Sequence, residues 1–188
     1  MTGRLFTVVG PSGAGKDTLL AGACAAEGGP HWVRRVITRP ASAGGEPFEG
    51  VTQSDFALRE ARGAFALTWR AHGLCYGIPH EELAPLRAGR DVVFNGSRAA
   101  LARAGAAFPD LTVIVITAPP DLLAKRLVGR GRESVAQIAA RLARDVAALP
   151  GGLPVIEIVN DGTPEQGIAR LRAALQPSGA QPSGARCR

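Results

Sequence analysis

Apolar residues in this chain gather into short runs separated by longer amphipathic stretches. The runs fall at 4–9, 33–37, 91–95, 111–117 and 154–159, and Leu111 to Thr117 is broken only by threonine. Unbroken runs of this length are the pattern of strands buried on both faces of a parallel sheet. Between them, 16–26, 98–107, 120–129, 134–148 and 164–175 carry a helical period. In the fourth stretch Val135, Ile138, Ala139, Leu142 and Val146 share one helix face. The alternation predicts an α/β fold, a parallel five-stranded sheet flanked by helices. It fails over 38–90, where Pro40, Gly44, Gly45, Pro47 and Pro79 interrupt short β-like pieces such as 64–70. That stretch reads as an inserted subdomain.

Directly after the first run stands Gly10-Pro11-Ser12-Gly13-Ala14-Gly15-Lys16-Asp17-Thr18. Its spacing is that of a phosphate-binding P-loop, with Asp17 where serine or threonine is expected and Thr18 one place later. Glycines let the backbone curl so that successive N–H groups face one phosphate. The following helix presents its positive end to the same anion, and Lys16 neutralises charge on the group being moved. Gly is 24 of 188 residues, so a glycine-rich turn alone would say little. The preceding strand, the lysine and the helix behind it make this a nucleotide-phosphate site in a P-loop NTPase fold.

Further polar stations lie where strands should end. Thr38-Arg39-Pro40 follows the second run, and ligands bind beyond the carboxyl ends of parallel strands, so Arg39 should face the site; a solvated loop arginine is the alternative. Tyr76, between glycines, either hydrogen-bonds a phosphate or packs a turn. Asn95-Gly96-Ser97-Arg98 could bind a sugar hydroxyl or a phosphate through Asn95, Ser97 and Arg98, or serve as a turn and N-cap. Asn160 and Asp161 close the last strand at the expected adenine edge, or simply make a turn. Arg126, Arg130 and Arg132 around glycines, then Arg141 and Arg144 on one helix face, suggest an arginine-rich lid at about 129–135. A solvated arginine face is its alternative.

The sheet-edge positions offer Asn95 and Ser97 but no acid. A hydroxyl acceptor usually needs a base, whereas a phosphate acceptor is already ionised near neutral pH and needs relief from anion–anion repulsion. The pattern therefore favours a phosphate acceptor, with the inserted subdomain holding it.

Composition narrows the partners. Net charge is +6, and of 22 basic residues all but Lys16 and Lys125 are arginines. Aromatics are only 5% and do not interleave with the arginines, which argues against nucleic acid. Three cysteines without metal-ligand spacing suggest a reducing, cytoplasmic setting, and no signal sequence or membrane span is apparent. The tail 176–188, with Gln-Pro-Ser-Gly-Ala twice over, reads as disordered. Oligomeric state is open, a homodimer included.

The P-loop, Thr38-Arg39-Pro40, Trp69 to Gly77, the lid arginines and Val159-Asn160-Asp161 follow the layout of guanylate kinases over about 1–175. The acceptor side departs from them: Ser42 replaces a second clamp arginine, Thr68 a base-reading glutamate, Ile78 a serine or threonine, and Asn95 an acid. The chain more closely resembles the ribose 1,5-bisphosphate phosphokinase family of phosphonate breakdown. The likeness rests on Gly15-Lys16-Asp17, Ile37-Thr38-Arg39 with Ala41 to Gly44, His72-Gly73-Leu74 with Tyr76-Gly77, Asn95 to Arg98 and Gly129 to Glu133. It implies transfer of the ATP γ-phosphoryl group to the 1-phosphate of ribose 1,5-bisphosphate, with Mg²⁺ as cofactor and a phosphosugar as partner. Gly10 to Thr18, Arg132, Asn160 and Asp161 would hold ATP, Asp17 and Thr18 the metal, and Arg39, Tyr76, Asn95, Ser97 and Arg98 the sugar. Lys16, Arg130, Arg141 and Arg144 would act on the transferring group. The rival readings are a guanylate kinase and a non-catalytic guanylate-kinase-like binding module.

Overall fold

The computed structural model describes residues 3–40, 45–129, 149 and 151–176. The helix expected at 134–148, the lid arginines Arg130, Arg132, Arg141 and Arg144, the segment Ala41 to Gly44 and the tail beyond 176 lie outside the described residues.

Strand β1 (Leu5–Val9) is followed by α1 (Lys16–Cys24), β2 (His31–Trp32), β3 (Arg35–Ile37), β4 (Phe48–Gly50) and α2 (Gln53–Ala61). Then come β5 (Phe65–Ala71), β6 (Leu74–Pro79), α3 (Ala84–Arg87), β7 (Val92–Asn95), α4 (Leu101–Ala107), β8 (Thr112–Thr117) and α5 (Pro120–Val128). Strand β9 (Val155–Val159) and α6 (Pro164–Leu175) complete the described chain. Strands β2, β7, β1, β8 and β9 form a parallel five-stranded sheet in that order. Strands β4, β3, β6 and β5 form a second sheet of mixed direction.

The second expected strand is the main correction. Residues 33–37 do not form one strand of the parallel sheet. His31–Trp32 pairs there, and the chain then crosses so that Arg35–Ile37 joins the smaller sheet. Glu82 holds the crossing: its carboxylate accepts from the Arg34 N–H at 2.9 Å and meets His31 Nε2 at 2.7 Å. A buried apolar run looks the same in either sheet, so the pattern could not show the break. Helix α2 was also missed inside the irregular stretch; Thr52 caps it by accepting from the Asp55 N–H.

Two cores follow from the two faces of the large sheet. On one face Phe6, Val8, Ile114 and Ile116 pack against Leu19 and Leu20 of α1 and Leu171 of α6. On the other, Val92 and Phe94 of β7 pack with Leu67, Trp69 and Ile78 of the smaller sheet. This shared second core fastens the smaller sheet to the larger and so sets the walls of any cleft between them. Helix α6 starts with a reciprocal capping box between Thr163 and Gln166. Leu171 is fully buried where α6 meets α1. Leu171→Ala should cost about 2–5 kcal/mol, seen as a lower urea midpoint at unchanged slope.

Candidate active site

The turn after β1 is shaped by its surroundings. A Cβ on Gly10 would lie 2.0 Å from the Ile116 carbonyl oxygen, so no side chain fits. Gly15 takes φ 90°, and a Cβ there would lie 2.6 Å from Asn160 Nδ2. Helix α1 begins at Lys16 with no side chain capping it, so the positive end of the helix faces the loop. Lys16 Nζ donates to the carbonyls of Gly10 at 2.7 Å and Pro11 at 2.9 Å, which keeps the ammonium inside the loop's curl. The arrangement fits nucleotide phosphates.

Asp17 and Asn95 meet across 78 residues of sequence. Asn95 Nδ2 donates to Asp17 Oδ1 at 2.7 Å, tying the start of α1 to the carboxyl end of β7. Both residues line a hollow of about 560 Å³ that also takes in Gly10, Ser12, Gly13, Gly15 and Lys16. Thr18 does not line it. One residue further along α1 turns a side chain by about 100°, and Thr18 is exposed. Of the two residues expected to hold a metal, Asp17 lines the hollow. No cluster of three or more His, Cys, Asp or Glu occurs among the described residues. The site suits Mg²⁺, which binds through one or two carboxylates together with phosphate oxygens and water.

Asn160 is placed differently from the expected open adenine edge. It is 4% exposed, and its Nδ2 donates to the Ala14 carbonyl at 2.8 Å. Its own N–H donates to Thr117 at 2.7 Å, so the end of β9 is pinned to β8 while its side chain props the loop. Asp161 is exposed and accepts from Arg170 at 2.8 Å, a hydrogen bond that holds its carboxyl below the usual range. Neither residue lines the hollow.

Arg39 is the other displaced residue. Because β3 belongs to the smaller sheet, Arg39 leaves the parallel sheet's carboxyl edge and lies over the Phe48 ring, 4.2 Å from its centroid. It lines a separate hollow with Glu49, Asp55 and Arg59.

The remaining lining of the first hollow comes from β7's end and the smaller sheet. Ser97 and Arg98 are there as expected, and the Arg98 Nε is buried without a hydrogen-bond partner among the described residues. Tyr76 also lines it, with its ring stacked on Trp69 at 5.2 Å, so it both packs and faces the cleft. Two arginines that sequence reasoning passed over, Arg35 and Arg70, join them together with His72. The overlooked signal for Arg35 was an arginine inside an apolar run. Asp17 is the one carboxylate among the described residues lining this hollow, against Lys16, Arg35, Arg70 and Arg98. Such a balance suits a polyanionic occupant.

No protein-family model matches the chain. Ribose 1,5-bisphosphate phosphokinase PhnN of Pseudomonas fluorescens is 47% identical over 184 residues, 93% of this chain and 96% of that protein. The chain belongs to the ribose 1,5-bisphosphate phosphokinase family. It is also 49% identical over 176 residues to the bifunctional ribose 1,5-bisphosphokinase-thymidine phosphorylase of Cupriavidus necator, covering 93% of this chain. The chain spans only 29% of that relative's length. A crystal structure of guanylate kinase from Anaplasma phagocytophilum matches with a TM-score of 0.65 at 18% identity, over 93% of this chain and 85% of that one. At that identity the likeness establishes a shared P-loop kinase fold. Within the family's fold, the Asn160 prop makes a separate demand on the loop. Asn160→Ala should weaken ATP binding by calorimetry about tenfold or more, since a lost buried hydrogen bond costs about 1–3 kcal/mol and 1.4 kcal/mol is a factor of ten.

Proposed function

We propose that this chain transfers the γ-phosphoryl group of ATP to the 1-phosphate of ribose 1,5-bisphosphate, giving 5-phospho-α-D-ribose 1-diphosphate and ADP. The observation that carries the reading is the charge of the hollow: among the described residues lining it stand four permanent cations and one carboxylate, with no second acid at the sheet edge to act as a base. A phosphate oxygen already ionised attacks the γ-phosphorus, and the bond from that phosphorus to the β-bridging oxygen breaks. The negative charge leaves on ADP, so no proton needs a destination.

Within this scheme Gly10 to Gly15 and the first turn of α1 hold the nucleotide phosphates, and Lys16 neutralises the transferring group. Asp17, oriented by Asn95, would hold Mg²⁺, which supplies charge neutralisation between donor and acceptor. Ser97 and Arg98 orient the sugar or its phosphate from the end of β7, with Tyr76 opposite. Arg130, Arg132, Arg141 and Arg144, outside the described residues, complete the proposal as groups that close over the transferring phosphoryl. The family name of the Pseudomonas fluorescens relative supports the same acceptor.

A coupled ADP-release assay tests it. Ribose 1,5-bisphosphate should exceed GMP in kcat/KM by at least about a hundredfold, because a site lacking polar groups matched to guanine discriminates poorly in its favour. Faster turnover of GMP would overturn the proposal in favour of a guanylate kinase. Lys16→Ala should lower kcat by about a thousandfold with the circular dichroism spectrum unchanged, as loss of a group stabilising transition-state charge does. Asp17→Ser should raise the Mg²⁺ concentration needed for half-maximal rate; an unchanged Mg²⁺ curve would remove Asp17 from the metal site.

A further inference from the structure

We propose that Arg35 reads the acceptor's second phosphate, the one remote from the bond being formed. The inference rests on the phosphosugar kinase reading above and adds a specificity residue to it.

Arg35 is 5% exposed, a rare position for an arginine, and its charge is balanced by Glu46. The Glu46 carboxylate accepts from both Nε and Nη2 along one edge of the guanidinium. Guanidinium carries five N–H donors in a fixed plane, so among the described residues three are left over from the pair with Glu46. The plane itself is held by two rings, with Tyr76 5.1 Å and Trp69 5.5 Å from the guanidinium carbon. What separates this pair from an ordinary buried ion pair is its asymmetry. Arg35 lines the hollow, and Glu46 is not among the lining residues. The carboxylate supports the cation from behind and leaves donors toward the cleft.

Its place in the fold decides which part of the acceptor it meets. The reacting phosphate must lie against the loop at the start of α1. Arg35 stands on β3, and β3, β5 and β6 make the wall contributed by the smaller sheet. The end of the acceptor remote from the reaction therefore faces that wall. In ribose 1,5-bisphosphate this end is the 5-phosphate. Among the described residues of that wall, polar readers for a base are lacking: Ile78 is fully buried, and the Thr68 hydroxyl is spent on Glu60 at 2.7 Å. The other arginine of the wall, Arg70, is largely exposed and already paired to Glu60. A fork-shaped, oriented, desolvated guanidinium is the group best made for a phosphate.

The test compares two acceptors, ribose 1,5-bisphosphate and ribose 1-phosphate, which lacks the remote phosphate. In Arg35→Gln the ratio of kcat/KM for the first over the second should fall at least about tenfold, as loss of a charge-assisted pair predicts, with the KM for ATP unchanged. Removing one member of a buried pair can unfold a protein, so the doubly apolar variant Arg35→Met/Glu46→Leu is measured alongside. It should fold and show the same collapse of the ratio. If both acceptors decline in equal proportion in either folded variant, Arg35 is structural and the inference is overturned. A wild-type protein inactive on both acceptors would instead overturn the kinase reading, and this inference with it.

Discussion

Asn160 reaches across 146 residues of sequence to hydrogen-bond the Ala14 carbonyl, and the phosphate loop depends on that reach. A loop built from glycines has little intrinsic shape, since each glycine gives up more conformational freedom on ordering than any other residue. The sheet imposes the shape instead. The Ile116 carbonyl presses against Gly10, the Asn160 amide lies under Gly15, and Asn95 at the end of β7 grips Asp17. Three neighbouring strands, β7, β8 and β9, thus each supply one restraint beside β1. The loop's shape is a property of the sheet's carboxyl edge as much as of the motif.

The same logic explains the two departures at the sheet edge. An acid at the end of β7, in place of Asn95, would stand within hydrogen-bonding distance of Asp17, and two carboxylates so close would repel, raising the pKa of one of them. Asparagine there donates instead, so a single charge is held in one orientation. Asp17 after the lysine and Asn95 at the end of β7 are therefore one feature seen at two places in the sequence.

The wall built by the smaller sheet rests on different physics. Its wall is fastened through a core shared by Val92, Phe94, Trp69 and Ile78, so the spacing of the cleft is set by apolar packing rather than by the charged groups that line it. Desolvated guanidinium groups act strongly there because the surrounding dielectric is low, and they need carboxylates such as Glu46 behind them to be tolerated at all.

Periodicity and spacing by themselves determined the parallel α/β architecture, the glycine-rich loop that places Lys16 after β1, asparagine in place of an acid at the end of β7, and helix α6 over 164–175. Each is a local signal: a run length, a helical period, or residues a few places apart. Tertiary structure alone decided four others. Residues 31–37 were divided between two sheets, Arg39 was carried away from the cleft, Thr18 was rotated out of it, and Asn160 was turned inward as a prop. It also brought Arg35 in. Every one of these depends on which strand a residue's strand pairs with, or on which way a helix faces its neighbours. Pairing and facing are settled by long-range packing among apolar surfaces that look alike in sequence, so a buried run could announce that Arg35 sat among core residues but not that it opened onto a cleft.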